Sequence, residues 1–178
     1  MPPSTISVWE TIAVEAEHES GLWHDALLPP RERECEPVFS PLGDERYALG
    51  LETIYEGYLA HYGTPRLFVP PDDDTALLLG DYLYAHGLVR IAEVGSVEAV
   101  ADLAELISIC AQVRADGRPG DAEAWAASAA LLGRGELEQA RDALRTDDDP
   151  GPLASLAEAA VGAAAVEHAL AAHARRLR

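Results

Sequence analysis

From Asp44 onward the large apolar and aromatic side chains return every three or four residues, at Tyr47, Leu51, Ile54, Tyr55, Tyr58, Leu59 and Tyr62, until Gly63-Thr64-Pro65 stops the run. Residues at i, i+3, i+4 and i+7 share one face of an α-helix, and a glycine followed by a proline ends one, so this stretch is the clearest helix of the chain. A second helix is expected from Asp72-Asp73-Asp74, whose carboxylates suit free amides and the positive helix end, through Leu77, Leu78, Tyr82, Ala85 and Val89 to Gly95. Ser96 can cap a third, Val97 to Ala115, in which Val100, Leu103, Leu106, Ile107, Ile109, Cys110 and Val113 lie almost all round. Such a helix is expected to be central and buried on more than one side.

The rest of the chain reads as helices and breaks. Asp116-Gly117-Arg118-Pro119-Gly120 is a loop, and Asp121 is placed to cap a short helix carrying Trp125, Ala129 and Leu132. Gly133-Arg134-Gly135 then turns into a helix from Glu136 to Arg145. This hairpin resembles a single tetratricopeptide-like unit, but only one copy is visible and such folds stack about three, so it is assigned to the bundle. After Asp147-Asp148-Asp149-Pro150-Gly151-Pro152, one alanine-rich helix is expected from Leu153 to a basic last turn of Arg175, Arg176 and Arg178. Ahead of Asp44, Val8 to Ala16 suits a helix, and Leu28-Pro29-Pro30 through Pro41-Leu42-Gly43 an irregular connection. No segment alternates as a strand would. The reading is an all-α, single-domain helical bundle, with residues 1–43 as N-terminal helix and connection and 44–178 as the bundle proper.

Charge and composition close several function classes. All thirteen basic residues are arginine, so no Schiff-base lysine, P-loop or lysine phosphate clamp exists. A net charge of −18 repels a polyphosphate backbone and makes nucleic acid a poor partner. No apolar run reaches the roughly 20 residues of a membrane span, and MPPSTISVWE lacks the basic and apolar regions of a secretion signal; a cytoplasmic protein is expected. Cys35 and Cys110 suggest neither a disulfide nor a zinc site, and Gly-x-Ser-x-Gly is absent. Of the six histidines, His168 and His173 read as surface positions.

The polar residues between Leu51 and Asp81 carry more information. Glu52-Thr53-Ile54-Tyr55-Glu56 holds two carboxylates four apart, His61-Tyr62-Gly63-Thr64-Pro65 follows, and Gly80-Asp81 comes 17 residues after Gly63. This order resembles the front half of the active site of the trans-isoprenyl diphosphate synthases, an all-α family in which Asp-Asp-x-x-Asp is followed by Arg-Arg-Gly-x-Pro and then by a Gly-Asp pair in the next helix. The resemblance covers roughly residues 44 to 115 and implies a shortened isoprenoid synthase fold. In that family the i, i+4 carboxylates hold magnesium against a diphosphate while the arginines neutralise its oxygens. Here Thr53 replaces the middle carboxylate, and His61 and Tyr62 replace both arginines. The second acidic motif has no counterpart, since Asp147-Asp148-Asp149 runs into Pro150.

The resemblance therefore implies a non-catalytic member: a partner or regulatory subunit of a prenyl synthase, or a binder of an isoprenoid-type ligand. Glu52, Glu56, His61, Arg66 and Asp81 are the candidate ligand contacts, and Glu52 and Glu56 the candidate metal ligands for magnesium; no catalytic residue and no obligatory cofactor is assigned. Taken on spacing alone, Glu52 and Glu56 are solvated carboxylates on a polar helix face. Asp81, among Leu77, Leu78, Leu79, Tyr82 and Leu83, is expected to be buried against a partner, with His61, Arg66, His86 and Arg90 as the candidates and His86 less well placed than His61 or Arg66. Two other readings stand beside this one. One is a metal-dependent enzyme acting on a diphosphate ester through Glu52, Glu56 and Asp81; the other is an acidic interaction module with no ligand. A homodimer through the apolar third helix is the plainer form of the non-catalytic reading.

Overall fold

The computed structural model describes residues 7–177; Arg178, expected in the basic last turn, lies outside them. Among the described residues there are nine α-helices and no strand. They are α1 (Val8–Glu19), α2 (Gly21–Ala26), α3 (Ala48–Tyr62), α4 (Asp73–Glu93), α5 (Val97–Ala115), α6 (Asp121–Ala130), α7 (Glu138–Asp147), α8 (Gly151–Val161) and α9 (Ala163–Ala174). The stretch between α2 and α3 contains only short 3-10 turns, as its prolines suggest. Among the described residues no helix is long and apolar enough to cross a membrane.

The expected caps of α4 and α5 form. Asp72 accepts from the Thr75 N–H at 2.7 Å, and Ser96 from the Ala99 N–H at 3.1 Å. Each satisfies an amide that the first helical turn leaves without a partner. Asp121 does not cap α6. Gly120 holds that position at φ +120°, and the Asp121 carboxylate turns into the core instead. The alanine-rich C-terminal segment is two helices, broken at Gly162 with φ +89°, a backbone that side-chain-bearing residues rarely adopt.

The central helix is α3, not α5. From Gly50 to Ala60 every residue of α3 is buried. α5 buries one face, through Ala99, Leu103, Leu106, Ile109, Cys110 and Val113, and turns Val97, Ala101, Ala104 and Ser108 outward. The all-round apolar pattern thus marks a helix with a buried face and a bare one.

α3 lies close against α4 because glycines meet at two levels. A Cβ on Gly57 would stand 2.9 Å from the Gly80 carbonyl oxygen, and one on Gly87 would stand 3.1 Å from the Gly50 carbonyl oxygen. Seven residues, two turns, separate the glycines on each helix, which sets both contacts on one line. Packing on the other side of α3 is aromatic: Phe39 stacks on Trp125 with ring centroids 5.5 Å apart, and Tyr55 meets the edge of Trp125 at 5.1 Å. The N-terminal segment adds a smaller cluster, in which Ile12, Ala16 and Trp23 pack with Leu67, Phe68, Leu79 and Leu83.

Candidate functional site

Glu52 and Glu56 sit one turn apart on α3 and are buried, with side chains 2% and 0% exposed. They are not on a solvated face. The turn at Gly63-Thr64-Pro65 reverses the chain and returns Arg66 against them. Its Nε donates to Glu56 Oε2 at 2.9 Å and its Nη1 to Glu52 Oε2 at 2.7 Å. Glu56 Oε1 accepts the backbone N–H of both Arg66 and Leu67 at 2.7 Å, and Glu52 Oε1 accepts the Ser40 N–H at 3.3 Å. All four carboxylate oxygens therefore have donors from the chain itself.

The guanidinium is equally enclosed. Nη1 also donates to the Glu36 carbonyl at 3.0 Å, while the Trp9 and Tyr55 rings lie 4.5 and 5.0 Å from Cζ. Burial works against the charge on Arg66, and the Glu56 and Glu52 carboxylates outweigh it, so its proton is held more firmly than in water. One arginine against two carboxylates leaves a surplus negative charge, and the three backbone N–H groups answer it.

A second polar cluster lies farther along the same helix. Arg114 of α5 donates to the Tyr58 hydroxyl from Nε and Nη2 at 3.0 and 2.9 Å and stands 2.8 Å from Asp121 Oδ2; the Tyr58 hydroxyl in turn donates to Asp121. His173 of α9 reaches in, its Nε2 3.7 Å from Asp121 Oδ2 and its Nδ1 2.9 Å from the Tyr55 hydroxyl. Burial alone would raise the Asp121 carboxyl. The neighbouring His173, the hydrogen bond from Tyr58 and the charge of Arg114 outweigh it and hold the group well below the usual carboxylate range. Burial pushes both tyrosine hydroxyls well above their ordinary value, and for Tyr58 the neighbouring Asp121 adds to the effect.

His173 is 1% exposed, not a surface residue, and Asp121 was expected only as a cap. Tyr55, Tyr58, Asp121, Arg114 and His173 come from four helices, and only the hydroxyl-bearing aromatics at Tyr55, Tyr58 and Tyr62 offered a hint along the chain.

Of the other expected contacts, Asp81 is not buried: its side chain is 68% exposed on the outer side of α4. His61 is its neighbour, with Nε2 3.3 Å from Asp81 Oδ1, and its side chain is 10% exposed. That pair stands apart from the Arg66 cluster. His61 lies over Gly80, where any Cβ would fall 2.3 Å from its Nε2, and beside Tyr62 and Tyr84.

Several surface hollows lie on the bundle, and two of them adjoin buried or paired charges. One of about 390 Å³ lies between α5 and α7 beside Asp102 and Arg141, and one of about 300 Å³ between Glu34 to Val38 and the end of α9. Neither is lined by Glu52, Glu56 or Arg66. Asp102 there is already bound, to Arg141 Nη1 at 2.9 Å and the Gly133 N–H at 2.8 Å. Among the described residues no group of three or more His, Cys, Asp or Glu is arranged to hold a metal ion. Magnesium needs several free hard oxygens, and Glu52 and Glu56 have none to give, so these residues do not fit the ion the acidic motif implies.

Comparison with protein-family models, with curated proteins and with solved structures returns no match to the chain.

Proposed function

We propose that the chain is a non-catalytic, prenyl-synthase-like helical subunit that acts by assembling with another chain. The observation that carries this reading is the closure of the Glu52 and Glu56 pair by Arg66. The residues in the register of a diphosphate grip are consumed by the chain's own guanidinium and amides, so they serve the fold rather than a substrate. The same closure weighs against the isoprenoid binder and against the metal-dependent enzyme, because both need those carboxylates or a cavity beside them.

Assembly is supported by where the bare apolar surface lies. Leu77, Leu78, Val89, Val94 and Val97 are all exposed, at 53, 55, 57, 38 and 79%, and they cluster on α4, its closing turn and the start of α5. A helical face of this kind in a chain of −18 marks a contact surface.

The test is to incubate the chain with magnesium and allylic and homoallylic diphosphates, alone and mixed with a catalytic prenyl synthase from the same source. No condensation by the chain alone, with co-elution and a changed product length in the mixture, is the expected result. Condensation by the chain alone would overturn the reading.

A further inference from the structure

Exposed leucines and exposed acids share the outer side of α4. Asp74 and Asp81 are seven residues apart, two helical turns or about 10 Å, and Leu77, Leu78, Ala85 and Val89 lie between and beyond them on the same side. The chain's own arginines do not answer these acids. Arg90, the single arginine of α4, reaches the other way to Thr53 and Glu15, and Arg145 is taken by Glu105 of α5. Among the described residues Asp74 makes no ion pair, and Asp81 has only His61, whose Nε2 is 3.3 Å from Oδ1 and makes no hydrogen bond. Burial lowers the proton affinity of that imidazole, so it supplies no counter-charge at pH 7. Whatever covers these leucines also strips water from Asp74 and Asp81, which is costly unless a cation meets each carboxylate.

That condition selects the occupant. A second copy of the chain brings the same acids to the contact, and two bodies of −18 repel. An anionic lipid surface or a nucleic acid is repelled for the same reason. A helix with apolar residues along one side and two arginines or lysines seven apart meets both needs at once, because helices packed within about 20° of each other set their seven-residue repeats side by side. We propose that the outer side of α4 binds a basic amphipathic helix of another protein, its apolar residues on Leu77, Leu78 and Val89 and its paired cations on Asp74 and Asp81. The inference rests on the assembly reading above and adds the chemistry of the partner.

The probe is a labelled synthetic peptide of about 20 residues, with leucines at i, i+3 and i+7 and a pair of arginines seven apart beside them, titrated with the whole chain and followed by fluorescence anisotropy. Saturable binding is expected, weakened about ten-fold or more in about 1 M salt. Asp74→Asn together with Asp81→Asn should cost about ten-fold in affinity. Glu158→Gln together with Glu167→Gln, the same change in net charge at exposed sites on α8 and α9, should leave it within about two-fold. Leu78→Glu should abolish binding. Asp74→Arg together with Asp81→Arg should reject the arginine peptide and accept its glutamate counterpart. All of these positions are exposed, so the variants keep the fold, which circular dichroism checks.

No binding of the arginine peptide, binding that survives Leu78→Glu, or an equal loss in the two neutralised pairs would overturn the proposal and leave assembly standing. The assembly reading fails on a different observation, condensation by the chain alone.

Discussion

Helix α3 carries two buried polar clusters built on opposite plans. At Glu52, Glu56 and Arg66 the partners lie within 14 residues of one another, all three side chains are enclosed, and backbone amides complete the shell. At Tyr58, Asp121, Arg114 and His173 the partners come from four helices, the bonds run through a tyrosine hydroxyl, and Arg114 is 22% exposed. A charge fully removed from water must be answered completely, whereas one at the edge can lean on solvent. The first cluster is thus a fixed point of the fold around which the N-terminal connection is laid, and the second joins α9 to the core.

Breaking the first should cost most. Arg66→Met leaves two carboxylates facing each other in the core, and chemical denaturation should show a loss of about 3–5 kcal/mol. A loss below about 1 kcal/mol would mean that the two clusters do not differ in kind.

Asp121→Asn comes next, at about 2 kcal/mol, since Arg114 and Tyr58 keep each other and part of the arginine reaches water. The sign with pH is fixed by the direction of the shift. A carboxyl held below its ordinary value stabilises the fold above the unfolded value of about 4, and that support is lost as pH falls through the acid range. The wild type should therefore lose stability below about pH 4 more steeply than Asp121→Asn, as followed by thermal melts at successive pH values. The smallest effect is that of Tyr55→Phe, which removes one hydrogen bond to His173 Nδ1 and should cost about 1 kcal/mol.

The same contrast explains what could be read along the chain. α3 was legible because its period, its stop and the i, i+4 acids are local, and the caps Asp72 and Ser96 are signals of one or two turns. Arg66 was in view as a candidate contact, but its capture of both acids depends on how the turn after α3 folds back. His173 and Asp121 meet across 52 residues, so nothing near either one announces the contact; an isolated histidine in an alanine-rich helix looks like surface. The direction of Asp81 is not legible for a related reason. Its leucine neighbours suggest a buried helix, and in the structure part of that apolar surface is bare. Composition reports that a face is apolar, not what covers it. The paired glycines of α3 and α4, seven apart on each helix, are the local sign of the close approach of these two helices.

Arg66 occupies the place an ion would take between Glu52 and Glu56. Calorimetric titration of the chain with magnesium in the presence of inorganic pyrophosphate addresses it directly. No saturable heat at millimolar magnesium is the predicted result; saturable binding that disappears in Glu56→Gln would contradict it.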